Sequence, residues 1–259
     1  METNGLDDLP TLVSNVETFA WTPSIMLQGG KAYAGEGVNG WKGRRIFSVS
    51  GDVRRPGVYE VPMGLPLRDL IYGDAYCQGL VRDLQLKAIA PSGPSGGFLP
   101  AKLTAKSGLP REHVKNKAWQ ALSTRRGFDA EAAELDVLDL ELELNLFRAL
   151  SPTQALGAGI VVYGEGRDMA VEAVNSMEFF RSESCGKCVP CRVGSEKAVA
   201  ILEQAVLGRG KRKQLALLPQ LNETMAETSI CGLGQVALAP FLSVMKAFEA
   251  DVRARFAEE

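Results

Sequence analysis

The spacing of apolar positions changes along this chain, and the change divides it. Arg45–Ser50 carries Ile46, Phe47 and Val49 in a β-forming stretch. Val58-Tyr59-Glu60-Val61 follows after the turn formers Gly51-Asp52 and Arg55-Pro56-Gly57, so the two segments predict a hairpin. Pro66 opens a short helix through Leu67, Leu70 and Ile71, and Leu84–Ala90 predicts a third strand. Strand, strand, helix and strand in so little chain predict a small β-grasp (ubiquitin-like) module over 44–100. From 167 onward the period lengthens. Asp168 is a candidate N-cap, and Ala170, Val174, Met177 and Phe180 or Arg181 recur at the spacing of one helix face. Further helices are predicted at 192–207, at 213–228, and from Pro240 through Phe241, Val244, Met245 and Phe248. Four helices joined by short loops predict a bundle over 167–259. The fold class is therefore α+β, a β-grasp module followed by a C-terminal four-helix bundle.

Two stretches fit neither pattern. Residues 1–43 read as an irregular lead-in with an apolar segment, Val16–Leu27, interrupted at Pro23, and then a Gly-rich linker. Residues 101–166 read as a polar insert and a connecting strand, Gly159–Tyr163. Inside the insert, LDLELELNL at 138–146 alternates acidic and apolar residues, which predicts an edge strand with one solvated face. The Gly-rich stretch 92–97 reads as a turn, and the basic run Arg209–Lys213 as a solvated loop.

Composition narrows the function. A formal net charge of -2 makes no electrostatic case for nucleic acid or an anionic membrane. No apolar run reaches the length of a membrane span. METNGLDDLP has neither the basic nor the apolar region of a secretory signal, so a reducing cytoplasm is expected. Spaced cysteines there are metal ligands more often than disulfides. One histidine, His113, read as a surface residue of the insert, leaves no His pair or triad for catalysis.

The chemistry lies in the cysteines. Cys185, Cys188 and Cys191 stand in ESCGKCVPCRVG, and Cys231 follows in SICGLGQ. A C-x2-C-x2-C run with a distant fourth cysteine supplies the four thiolates of a [4Fe–4S] cluster. Pro190 suits the first turn of a helix, whose free N–H groups favour thiolates. One helix leading away and a second leading back would return Cys231 to the other three. Lys187 and Arg192 add positive charge beside the site. A structural four-cysteine zinc site is the alternative, although zinc more often uses two separated C-x2-C pairs. A β-grasp ligand-binding protein with a helical appendage is a third reading. Cys77 reads as a packing residue.

ESCGKCVPCRVGSEK with ETSICGLGQVALAP resembles the NADH-binding flavoprotein subunit of respiratory complex I, of NAD-reducing hydrogenases and of NAD-dependent formate dehydrogenases. LPTLVSNVETFA is similar to that family's NVET segment, FSVSGDVRRPGVYEVPMGLPLRDLI to its soluble-ligand-binding β-grasp module, and LGAGIVVYG to the strand before its helical bundle. KCVPCRVGS and APSGPSGGFLP look most like the formate dehydrogenase beta subunit. The resemblance implies hydride exchange between NAD(H) and FMN, with single electrons passing on through the cluster. It implies that Asn15 and Thr18 line the FMN site, with Ser14 where complex I proteins often have a second Asn. Gly232 and Leu233 would lie near the flavin, and Glu17 near the nucleotide. The implied partners are an N-terminal flavin- and NADH-binding half or polypeptide, a thioredoxin-like [2Fe–2S] subunit, and a molybdenum or tungsten formate dehydrogenase subunit. The family's Gly-rich flavin and nucleotide loop does not occur in this sequence. The resemblance is therefore to the C-terminal half, and the chain alone is expected not to oxidise NADH.

Overall fold

The computed structural model describes residues 4–104, 117–127, 134–150 and 155–257. His113 lies outside the described residues. Two compact units are present: residues 1–46 with 60–65, and residues 47–59 with 66–259.

In the first unit, Val16–Gln28 forms α1 and Gly30–Ala34 forms α2. Asn15 starts α1 because its side-chain oxygen accepts the N–H groups of Glu17 at 2.9 Å and Thr18 at 3.3 Å. The segment expected to be irregular is thus a helix that runs through Pro23. The proline forgoes one intrahelical N–H there, a cost the rest of the helix carries. Glu17 accepts the backbone N–H of Ile46 at 2.6 Å. The expected Gly-rich linker is partly helical and is fastened by Tyr33. That hydroxyl donates to the Arg44 carbonyl at 3.1 Å, and its ring lies 5.2 Å from Trp21. No residue of α1 is buried.

The remaining elements in order are β1 (Arg44–Gly51), β2 (Gly57–Pro62), α3 (Leu67–Tyr72), β3 (Leu86–Pro94), β4 (Leu99–Pro100), β5 (Lys102–Thr104), α4 (Lys117–Arg126), β6 (Glu134–Asp136), α5 (Leu144–Leu150) and β7 (Gly159–Gly164). Five strands form one sheet in the order β2-β1-β7-β3-β4. The hairpin, the short helix and the third strand fall where the sequence pattern places them; the stretch 92–97, expected as a turn, continues β3 to Pro94 and only then turns toward β4. The position of β7 differs from expectation. Expected as a connecting strand outside the β module, it lies at the sheet centre, parallel to β1 (Ser48 opposite Gly159, Gly51 opposite Val162) and antiparallel to β3. Ile160 and Val162 are fully buried, as suits a strand flanked on both sides.

An ion pair secures this centre. Asp52 accepts the Gly164 N–H at 3.0 Å and bonds of 2.9 and 2.6 Å from the Arg167 guanidinium. The Arg167 hydrogen bond is the main cause holding the Asp52 carboxyl below its ordinary value. Asp52→Asn should cost about 1 kcal/mol near neutral pH, a modest figure because Arg167 is half exposed. Since the folded-state pKa is depressed, the contribution is complete above the unfolded value and disappears as pH falls through the folded one. Urea titrations from pH 7 downward test this: the variant should be weaker at pH 7, and the gap should narrow as the pH falls below the ordinary carboxylate range. A gap that does not change with pH would contradict it.

The stretch 138–146 is not an edge strand with a wet face. It begins in a single helical turn, Val137–Asp139, and ends in α5. Leu138, Leu140 and Leu142 are buried, and so are Glu141 and Glu143. Glu141 is fully enclosed against the Arg125 guanidinium. Glu143 accepts the N–H groups of Asn145 at 2.7 Å and Leu146 at 3.0 Å at the start of α5. Both acidic residues tolerate burial because each carboxylate is paired.

The C-terminal segment contains α6 (Met169–Ser182), α7 (Val189–Val206), β8 (Gly210–Lys211), α8 (Arg212–Thr228), α9 (Gly232–Val236), α10 (Ala239–Ala247), α11 (Glu249–Arg253) and β9 (Phe256–Ala257). Six helices stand among the described residues where four were expected. Asp168 caps α6 through the N–H groups of Ala170 and Val171. Ala170, Val174, Met177 and Phe180 are its buried face. Arg181 reaches Glu203 instead, and Phe179 is 44% exposed. One apolar cluster runs from Ala88, Ala90 and Tyr163 of the sheet through Met177, Leu202, Met225 and Phe241. The basic run 209–213 is not a free loop: Gly210 and Lys211 pair with Phe256 and Ala257. No helix among the described residues is long and apolar enough to cross a membrane.

Candidate metal centre

The cysteine site is built at the start of α7. Cys188 is the N-cap, Pro190 stands in the first turn, and Cys191 is buried one turn in. The loop before it turns at Gly186, whose φ of 73° favours glycine. Arg192 reaches back to donate to the Gly186 carbonyl and holds that loop against the helix. Ser184 Oγ lies 3.3 Å from Cys191 Sγ and accepts the Gly186 N–H at 3.3 Å.

The fourth cysteine comes back along a helical hairpin. At 1.5 Å per residue α7 and α8 span about 27 and 26 Å, nearly equal lengths out and back. Gly194 lets the two helices approach: a Cβ there would stand 2.4 Å from Met225 Sδ. The chain leaves α8 at Thr228, and Cys231 is the N-cap of α9. The backbone of Ile230, its neighbour, is the leading influence holding the Cys188 thiol below its ordinary value, with smaller help from the backbone and thiol of Cys191. Gly234 closes the contact, since a Cβ on it would meet Cys191 Cβ at 2.9 Å.

Cys185 and Cys231 are exposed, Cys188 is half-buried and Cys191 is buried. Among the described residues no three His, Cys, Asp or Glu side chains close on a single-ion site. What converges is the α7 N-terminus, the Cys188–Cys191 pair and the Ile230–Gly234 segment. Cys77 is separate: it is fully buried, and burial pushes its thiol up to about 11.

The residues implied for FMN fall in different places. Ser14, Asn15 and Thr18 are exposed in the first unit, where Asn15 caps α1. Gly232 and Leu233 follow Cys231 in the second. Gly232 has open space around it, and Leu233 packs against the helical core. Sequence reasoning passed over Ser184, Ser229 and Gly234, all beside the cysteines. Their nearness in sequence to Cys185 and Cys231 was the available signal.

Residues 172–255 match the model of the NADH-ubiquinone oxidoreductase-F iron-sulfur binding region, and residues 46–75 match the SLBB domain. The NADP-reducing hydrogenase subunit HndC of Solidesulfovibrio fructosivorans is 32% identical over 97% of this chain and 44% of its own length. The 51 kDa subunit of mitochondrial NADH-ubiquinone oxidoreductase in Neurospora crassa is 30% identical over 98% of this chain and 45% of its own. The mitochondrial NADH dehydrogenase [ubiquinone] flavoprotein 1 of Dictyostelium discoideum is 29% identical over 97% and 45%. The chain thus spans about half the length of the curated relatives it matches. A solved NAD+-reducing [NiFe]-hydrogenase in the H2-reduced state superposes with a TM-score of 0.71 at 29% identity, over 99% of this chain and 37% of that one. With both domain matches and such relatives along nearly its whole length, the chain belongs to the NADH-ubiquinone oxidoreductase-F family, which includes the 51 kDa proteins and their hydrogenase counterparts.

Proposed function

We propose that Cys185, Cys188, Cys191 and Cys231 hold a [4Fe–4S] cluster, and that the chain is the iron–sulfur part of an NAD(H)-linked oxidoreductase. The observation that carries this reading is the close approach of Gly234, three residues past Cys231, to Cys191 at the α7 start, where a Cβ on the glycine would meet Cys191 Cβ at 2.9 Å. The donor chemistry fits the group: four thiols flank the α7 start and the returning segment, and among the described residues no histidine or carboxylate completes a ligand group with them. When bound, a [4Fe–4S] cluster supplies one-electron transfer.

The chain's own residues prepare the site. Backbone N–H groups at the α7 start favour thiolates over thiols. Arg192 fixes the Cys185–Cys188 loop, and Lys187 adds a second positive charge nearby. Ser14, Asn15, Thr18, Gly232 and Leu233 are assigned to FMN. In support, Asn15 commits only its oxygen to capping α1, so its amide N–H2 can serve a ligand. An N-terminal flavin- and NADH-binding half, joined or separate, is assigned to cover α1, where Val16, Met26 and Leu27 are 80%, 79% and 88% exposed. The wording of KCVPCRVGS together with APSGPSGGFLP supports an NAD-dependent formate dehydrogenase, with a thioredoxin-like [2Fe–2S] subunit and a molybdenum or tungsten catalytic subunit as partners, and the cytoplasm is assigned as its location.

Anaerobic purification with iron and sulfide analysis tests the core of the reading. About four irons and four sulfides per chain, and an EPR signal after dithionite reduction, are expected. A colourless protein with one zinc per chain would make the cysteines a structural zinc site instead.

A further inference from the structure

We propose that the Ser229 hydroxyl donates a hydrogen bond to the sulfur of the cysteine-held cluster and raises its reduction potential; this rests on the cluster reading above. Ser229 is 6% exposed, and its Oγ is the buried side-chain oxygen without a hydrogen-bond partner among the described residues. A buried hydroxyl left unsatisfied destabilises the fold, so its position needs a reason.

The position supplies one. Ser229 ends α8, two residues before Cys231. Its N–H donates to the Met225 carbonyl at 3.0 Å, and its own carbonyl accepts Gln235 Nε2 at 3.1 Å. The backbone is therefore fixed at both polar groups, and the hydroxyl is left over. A Cβ on Gly234 would stand 2.4 Å from Ser229 Oγ and 2.9 Å from Cys191 Cβ, so the hydroxyl and Cys191 border the same small space. Gly234, lacking a side chain, keeps that space open.

Ser184 shows the same chemistry already made. Its Oγ accepts the Gly186 N–H and lies 3.3 Å from Cys191 Sγ. A sulfur that ligates metal carries no proton and can only accept, so with the cluster in place the Ser184 proton would face sulfur. Ser229 is the second hydroxyl at this sulfur-rich spot and has no competing acceptor among the described residues. Hydrogen bonds to cluster sulfur favour the more negative, reduced state and so raise the potential.

The test uses the full chain, anaerobically reconstituted, in an EPR-monitored redox titration. Ser229→Ala should keep its iron and shift the reduction equilibrium at least tenfold toward the oxidised form, which is about 59 mV for one electron. Ser229→Thr, which keeps the hydroxyl, should hold the wild-type potential. Full iron in Ser229→Ala at an unchanged potential overturns the inference while leaving the cluster reading intact. Wild-type protein that takes up no iron and sulfide overturns the cluster reading itself. Should Ser229→Ala lose iron, pulsed EPR of reduced Ser184→Ala, in which Ser229 is the hydroxyl left beside Cys191, decides after brief exchange into D2O. A rapidly exchanging proton coupling over and above the slowly exchanging backbone N–H couplings supports the role of Ser229, and its absence overturns it.

Discussion

Gly51→Ala should lower the melting temperature of the protein by about 10 °C, from a loss of roughly 3 kcal/mol or more in the second unit. Gly51 ends β1 with φ at 92°, a conformation that costs an L-residue roughly 1–2 kcal/mol. Sterics add to this. A Cβ at Gly51 would lie 2.1 Å from the Val162 carbonyl oxygen and 2.8 Å from the Val162 nitrogen. Both are backbone atoms of the central strand, and the same carbonyl accepts the Asp52 N–H at 2.8 Å. No side-chain rotation relieves the clash. The β1–β7 pairing must separate, and with it the junction that positions Asp52 against Arg167. Circular dichroism melts of wild type and variant read the effect directly. A change under about 2 °C would mean that β7 does not hold the central place in solution. Gly93→Ala, also at positive φ but with open space around it, is the matched control and should cost only the backbone strain.

Cys231→Ala should abolish the four-iron cluster, with the reduced-state EPR signal lost and iron per chain falling well below the wild-type content. Cys231 is exposed and contributes nothing to the apolar core, so the fold should survive; the melting temperature of the iron-free protein should change by less than about 2 °C. That separation makes the variant informative, because loss of iron cannot then be blamed on unfolding. Cys77→Ala is the converse control. Cys77 is fully buried and away from the α7 start, so its replacement should keep the iron and cost about 1–2 kcal/mol of stability. If Cys231→Ala retains both iron and spectrum, the fourth ligand is another residue and the assignment of the helical return falls.

Much of the helical part was legible. Asp168 as N-cap and the face of Ala170, Val174, Met177 and Phe180 follow from a period that every turn of α6 repeats. Position 181 was ambiguous because a helix face has an edge, and there Arg181 found Glu203. The lead-in was misread. Pro23 signals a break, yet the single N–H it removes does not end a helix that Asn15 has already started. The acidic alternation of 138–146 misled for another reason. A carboxylate in an alternating pattern normally marks a wet face, but Arg125 neutralises Glu141 and the α5 start occupies Glu143. Neither partner is visible in the alternation.

The sequence by itself determined the four-cysteine pattern, the hairpin of β1 and β2, and the buried face of α6. These depend on spacing within short windows, where local geometry dictates which positions share a face or a turn. Only the tertiary structure decided that β7 is the central strand, that Glu141 and Glu143 are enclosed, and that Gly234 returns to Cys191. The same holds for the unpartnered Ser229 hydroxyl beside Cys191. Each of these depends on segments distant in the chain meeting in space, and the free energy of that meeting belongs to pairs of segments and is not encoded in either one alone.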